Sequence, residues 1–228
     1  MTNALFLPQN SVAPLALANP LAGTDHQLAG WFHERLTPAV VSVLHAFTDF
    51  GSGEWIGVVM FGLVLFFLWK RWWPSLVTLI VAVPGGMLLN EWMKILVHRQ
   101  RPFSTGPFVD WSGYSFASGH TIGATLLYGQ LLLFVLPALK ARHWRLMSVV
   151  SAASLVVLVG FSRVALGAHF LTDVLAAIFF GIVWLILCLF TTKSMRGRVV
   201  STAGLPVISE PALVRVEVAE KEAQSLPN

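Results

Sequence analysis

Five apolar runs, at about residues 54–69, 74–97, 121–139, 146–162 and 170–192, dominate this 228-residue chain. A bilayer's hydrocarbon core is roughly 30 Å thick, so a crossing helix needs about 20 apolar residues, with a lower limit of roughly 17. Each run is near that length, the shorter ones at the limit. In lipid every backbone N–H and C=O must find its partner within the segment, which makes the α-helix the spanning form for runs like these. The expected fold is therefore all-α, a polytopic membrane helical bundle with five clear spanning helices. Composition agrees: 56% hydrophobic with 11% charged residues does not suit an ordinary soluble domain. Sixteen Phe and nine Trp suit lipid-facing and interfacial positions.

Residues 1–50 are less regular. The apolar stretch 4–23 is broken by Pro8, Pro14, Pro20, Gln9, Asn10 and Asn19, which makes it a poor span. No Lys or Arg precedes Arg35, so the basic start of a secretory signal peptide is missing. Residues 36–50 mix apolar positions with Thr37, Ser42, His45, Thr48 and Asp49, the pattern of a helix lying at the membrane interface. After Arg198 the hydrophobic run is lost. The organisation expected is an N-terminal segment with an interfacial helix (1–50), a membrane-embedded domain (51–192) and a flexible tail (193–228). The single Cys188 lies inside an apolar run and provides neither a disulfide framework nor a thiolate metal site. A formal charge of +4, without basic and aromatic residues interleaved on a surface, makes nucleic acid no expected partner.

The basic residues set an orientation. If all five runs span, Lys70 and Arg71, then Lys140, Arg142 and Arg145, then Lys193, Arg196 and Arg198 fall on one side, which the positive-inside rule makes cytoplasmic. The same parity places Lys94, Arg101, Ser118, His120, Arg163 and His169 together at the opposite, extracytoplasmic face.

These six belong to three polar islands: Lys94-x6-Arg101-Pro102, Ser118-Gly119-His120, and the stretch from Arg163 through His169 to Asp173. At i+4 in a helix, Asp173 would share a face with His169 and accept its Nδ1 proton, leaving Nε2 as a nucleophile. Arg163 and Arg101 offer planar forks of donors suited to phosphate. Pro102 stops the helix and holds Arg101 extended, and Gly119 permits close backbone approach to an anion. Any one island alone has an ordinary explanation: His-x3-Asp as a structural pair, Lys94, Arg101 and Arg163 as juxtamembrane charges on lipid phosphates.

Together, in this order and spacing, the islands resemble the type 2 phosphatidic acid phosphatases, membrane lipid phosphatases that share their site with vanadium haloperoxidases. The resemblance spans about residues 50–192, with Ala117 where proline usually precedes Ser-Gly-His. It implies six spanning helices, which leaves room for a degenerate sixth at the N-terminus. It also implies catalysis through a phosphohistidine on His169, oriented by Asp173, with His120 as acid and then base. Lys94, Arg101, Ser118, Gly119 and Arg163 would hold the phosphate, with no metal or other cofactor. The implied substrates are lipid phosphates: undecaprenyl diphosphate, phosphatidylglycerophosphate, phosphatidic acid or lipid A phosphates. The residues leave open a lipid phosphotransferase using the same phosphohistidine, or a non-catalytic headgroup-binding or transport protein. They say nothing of oligomeric state.

Asn90 and Glu91, one turn before Lys94, read as its structural partners. His98 and Arg99 read as general headgroup attraction. The 98–117 loop is expected to roof the site, with Trp111, Tyr114 and Phe116 available to dip into the headgroup layer.

Overall fold

The structure, a computed structural model, describes residues 21–103, 109 and 111–203, with side chains described as far as residue 191. Residues 1–20, where a degenerate first span was expected, and most of the expected tail lie outside it. The chain divides into two units, 1–189 and 190–228. In the second, the described residues 190–203 are helical.

Among the described residues seven α-helices follow in order: α1 Ala22–His33, α2 Pro38–Thr48, α3 Gly53–Trp69, α4 Trp73–Val97, α5 Gly119–Val135, α6 Arg142–Ala165 and α7 Leu171–Ala203. No strand occurs among the described residues. Their boundaries follow local chemistry. Thr37 caps α2 by accepting from the Val40 N–H, with Pro38 at the first helical position. Ser52 caps α3 by accepting from the Trp55 N–H. The expected interfacial helix and the first clear run are thus two helices joined by a 3-10 turn, Asp49–Gly51. Helix α5 stops at Val135, short of the apolar run ending at 139: Leu136 keeps helical geometry and bonds back to Leu132, but Pro137 has no N–H with which to continue the ladder. Helix α6 is longer than its run, 24 residues. Among the described residues four stretches are long and apolar enough to cross a membrane: Pro38–Trp69, Trp73–Val97, Arg142–Ala165 and Leu171–Thr191, with α5 a shorter apolar helix of 17 residues.

Helix α5 lies at the centre, buried at every residue from Thr121 to Tyr128. Its neighbours' directions follow from what it touches. Gly119 at its start faces Lys94 near the end of α4, and Gly86 farther back on α4 faces Leu126, so α4 and α5 are antiparallel. Thr121 meets Gly160 of α6, while Thr125 meets Gly181 of α7 and Gly129 meets Leu185, so α5 and α7 run parallel. The ends of α4 and α6 and the starts of α5 and α7 therefore meet at one end of the bundle.

Between helices in lipid the driving force is close packing, which favours small residues at the contact. A Cβ on Gly86 would lie 2.6 Å from Leu126 Cδ1, and one on Gly181 2.8 Å from Thr125 Cγ2. Leu79, Val83, Leu126, Leu127, Val159 and Ala177 fill the space between, all fully buried. A second cluster beside the site end, Val41, Leu44, Ala165 and Leu166, is joined by Trp111. Trp111 is thus turned inward, and so is Phe116, which packs on the main core. Tyr114 alone of the three loop aromatics is exposed, its ring edge against His98.

Candidate active site

His169, the nucleophile expected from the sequence, is set by a turn. Helix α6 ends at Ala165 and Gly167 takes φ +73°, the left-handed conformation that lets the Gly167 and Ala168 N–H groups bond back to the carbonyls of Val164 and Arg163. The His169 N–H also donates to the Arg163 carbonyl at 3.2 Å. His169 therefore stands just outside α7, in the turn between two helices, and only 2% of it is exposed.

Its ring is held through Nδ1, which lies 2.7 Å from the Ser115 carbonyl oxygen. A carbonyl can only accept, so Nδ1 carries the proton and Nε2 carries the lone pair. This differs from the expected direct bond to Asp173, whose Oδ2 is 3.8 Å away. Asp173 is otherwise engaged: Oδ2 accepts from the Ser115 hydroxyl at 2.5 Å and the Phe170 N–H at 2.9 Å, and Oδ1 pairs with Arg99 at 2.6 Å. Asp173 thus reaches the imidazole through Ser115, whose hydroxyl it holds while the Ser115 carbonyl holds the ring.

On the lone-pair side, Arg101 Nη1 is 3.2 Å from Nε2. Nη1 also donates to the Ala168 carbonyl, while Nε and Nη2 donate to the carbonyls of Gly113 and Ser112. The loop's described residues Ser112 and Gly113 are thus tied to the site by the arginine that points at His169. Burial pushes the His169 imidazole down to about 4, opposed by Asp173 and reinforced by Arg163 and Arg101, so the ring is neutral at ordinary pH. Burial also lowers Arg101, against the pull of Asp173.

Arg163 is buried at the end of α6, donating to Thr48 Oγ1 at 3.3 Å with its guanidinium carbon 5.8 Å from the Trp111 ring centre. Ser118 is the N-cap residue of α5; its hydroxyl accepts from Thr121 and its N–H lies 3.4 Å from the Asp173 carbonyl. His120 follows in the first turn, within electrostatic reach of Arg163, His169, Lys94 and Arg101. Lys94 Nζ pairs with Glu91 at 2.7 Å and lies 3.4 Å from where a Cβ on Gly119 would stand. The eight residues picked from the sequence thus come from three separate islands to one end of the bundle. Among the described residues no three His, Cys, Asp or Glu side chains gather as metal ligands.

Four further residues complete the arrangement: Asp25, Arg99, Ser115 and Thr172. Arg99 is no free headgroup contact. It bridges Asp173 and Asp25, at 2.6 and 2.8 Å, and its guanidinium lies over the Phe170 ring. Asp25 carried one signal, being the only charged residue before Glu34. Ser115 carried none.

A cavity of about 600 Å³ opens from this end along α3 and α4. Ile56, Met60, Val83, Met87 and Leu88 line its apolar length, and Asn90, Glu91 and His120 stand at its polar end.

An all-helical bundle with a cationic histidine site at its helix ends defines an integral membrane protein built to handle a phosphate group. The family model of the PAP2 superfamily matches residues 75–195, more than half of the chain, and the chain belongs to that superfamily. It is 33% identical over 149 residues to phosphatidylglycerophosphatase B of Bacillus subtilis, a match covering 64% of this chain and 71% of that protein. Among solved structures it is similar to a transmembrane PAP2-type phosphatidylglycerolphosphate phosphatase from Bacillus subtilis, with a TM-score of 0.69 and 26% identity, covering 78% of this chain and 89% of that one. Aquifex aeolicus LpxE shares the fold, with a TM-score of 0.55 and 23% identity over 73% of this chain and 94% of that one.

Proposed function

We propose that this membrane phosphatase of the PAP2 superfamily removes the terminal phosphate of a lipid phosphate through a phosphohistidine on His169. The observation that carries the reading is the Ser115 carbonyl on Nδ1, which leaves the Nε2 lone pair facing the arginines. Nε2 attacks phosphorus and the bond to the leaving oxygen breaks, with His120 giving that oxygen its proton. The substrate's own negative charge favours a protonated His120 beside so many cations. Lys94, Arg101 and Arg163 neutralise the phosphoryl oxygens, and Ser118 with the Gly119 N–H adds hydrogen bonds. His120, now neutral, takes a proton from water, which attacks phosphorus. The P–N bond breaks, inorganic phosphate leaves and His169 is regenerated.

The cleft along α3 and α4 suits an apolar tail lying sideways while its headgroup reaches His120. Likeness to a phosphatidylglycerophosphatase puts phosphatidylglycerophosphate first among the candidate substrates, ahead of undecaprenyl diphosphate, phosphatidic acid and lipid A phosphates. The lysines and arginines of the α3–α4 and α5–α6 connections lie at the end away from the site, so by the positive-inside rule the site faces the extracytoplasmic side and the tail the cytoplasm. The deciding experiment is phosphate release by the purified chain from these four lipids in chelator-containing buffer, with His169→Ala as control. Release from phosphatidylglycerophosphate that vanishes in the variant supports the reading. Release needing a divalent metal contradicts the mechanism, and transfer only to an added acceptor makes the protein a transferase.

A further inference from the structure

Helix α1 lies outside residues 75–195, yet it buries a carboxylate against the site. Asp25 is 2% exposed and each of its oxygens is engaged. Oδ1 accepts from the Thr172 N–H at 3.1 Å; Oδ2 accepts from the Thr172 hydroxyl at 2.5 Å and pairs with Arg99 Nη2 at 2.8 Å. The other fork nitrogen of Arg99, Nη1, holds Asp173 Oδ1 at 2.6 Å and Thr172 Oγ1 at 2.7 Å. One guanidinium is therefore shared between a carboxylate from α1 and a carboxylate from α7.

Two physical consequences follow. Thr172 sits in the first turn of α7, where an N–H has no partner within its own helix. Asp25 satisfies it from outside and places negative charge at the positive end of the helix. Asp25 also divides the attraction of Arg99, so Asp173 keeps Oδ2 on the Ser115 hydroxyl instead of being drawn wholly into an ion pair. We infer that Asp25 is a positioning residue of the reaction, acting in the sequence Asp25, Arg99, Asp173, Ser115, His169 to hold the Nε2 lone pair in line. The inference rests on the reading of His169 as nucleophile proposed above.

An anchoring role alone would make Asp25 matter for stability only. The test compares Asp25→Asn, Arg99→Lys and the double variant in the full chain in detergent, with dioctanoyl phosphatidylglycerophosphate as substrate. Melting midpoint, kcat per folded molecule and KM are read for each. Asn keeps the shape of Asp25 without its charge, and Lys keeps the charge of Arg99 without the fork that spans two carboxylates. Both single variants are expected to lose roughly 10–100-fold in kcat, the scale of a small misplacement of a reacting group, with KM little changed. The double variant is expected to be no worse than the more impaired single one, because both cut the same chain of contacts. Wild-type kcat in Asp25→Asn with only a lower melting midpoint overturns the inference, as do losses that multiply in the double variant. If Asp25→Asn does not fold, Arg99→Lys decides: unchanged kcat there overturns it equally. His169→Ala runs beside them, and turnover surviving in that variant would sink the nucleophile assignment itself, an outcome distinct from a silent Asp25.

Discussion

The two sides of the site are built differently. On the side of the proposed nucleophile, at the α6–α7 turn, His169, Asp173, Ser115 and Arg163 are buried and cross-bonded, and the ring is held by the Ser115 carbonyl without any substrate. On the side of the proposed acid, at the α4–α5 end, His120 and Lys94 are half-buried, His120 borders the cleft along α3 and α4, and Lys94 is held by a Glu91 that is 62% exposed. A nucleophile must be aligned to within fractions of an ångström, so preorganisation repays its cost there. A proton donor and a point charge must fit headgroups arriving along a cleft, and looseness costs them less.

If that contrast is right, substitutions on the buried side should act through kcat and those on the open side partly through KM. His169→Ala is expected to remove turnover to background, checked by phosphate release and by loss of acid-labile phosphoenzyme after rapid quench. His120→Ala is expected to lower kcat by about 10²–10⁴-fold, the usual worth of a positioned general acid. Phosphoenzyme that still forms from a substrate with a good leaving group, such as p-nitrophenyl phosphate, would assign it to leaving-group protonation. Ser115→Ala keeps the carbonyl that holds Nδ1 and removes the hydroxyl that links it to Asp173, so a loss of roughly tenfold in kcat with unchanged KM is expected. The smallest effect is expected from Glu91→Gln, a change of a few-fold in KM at constant kcat, because an exposed pair of this kind contributes little. An equal kcat loss at Glu91 and Ser115 would erase the distinction between the two sides.

The acid limb of activity sharpens the same contrast. With His169 held near 4, against an ordinary 6.5, the proposed nucleophile stays unprotonated well below neutrality. Phosphoenzyme formation should persist until the pH falls to about 4. Stability follows with the opposite emphasis: between about 6.5 and 4 the unfolded chain takes up a proton at this ring that the native state refuses, so this group destabilises the fold as pH falls through that window.

The spanning runs and the eight residues that meet at one end of the bundle were legible because both are local signals, hydrophobic length and motif spacing. The turn that presents His169 was also written locally, in a glycine placed where a helix must end. What sequence did not reveal is what depends on distant packing. Arg99 reads as one more interfacial cation until Asp25, 74 residues earlier, is seen beside it. Ser115 acts through a backbone carbonyl, which every residue type possesses, so no side-chain pattern can announce it. The Asp173–His169 pair was misjudged in detail for the same reason, since i+4 spacing promises contact only when both residues lie within the helix, and His169 stands before it.

Helix α5 is about 26 Å long by its 17 residues, less than the hydrocarbon thickness that its outer neighbours meet. Surrounded by protein over its first half, it has no need to match the bilayer. Thinning or thickening of the membrane is taken up by tilting of the lipid-facing helices, whereas the helix bearing His120 is insulated from that strain. With His120 as the proposed proton donor, the depth of proton delivery is set by the protein and not by the thickness of the membrane in which the substrate swims.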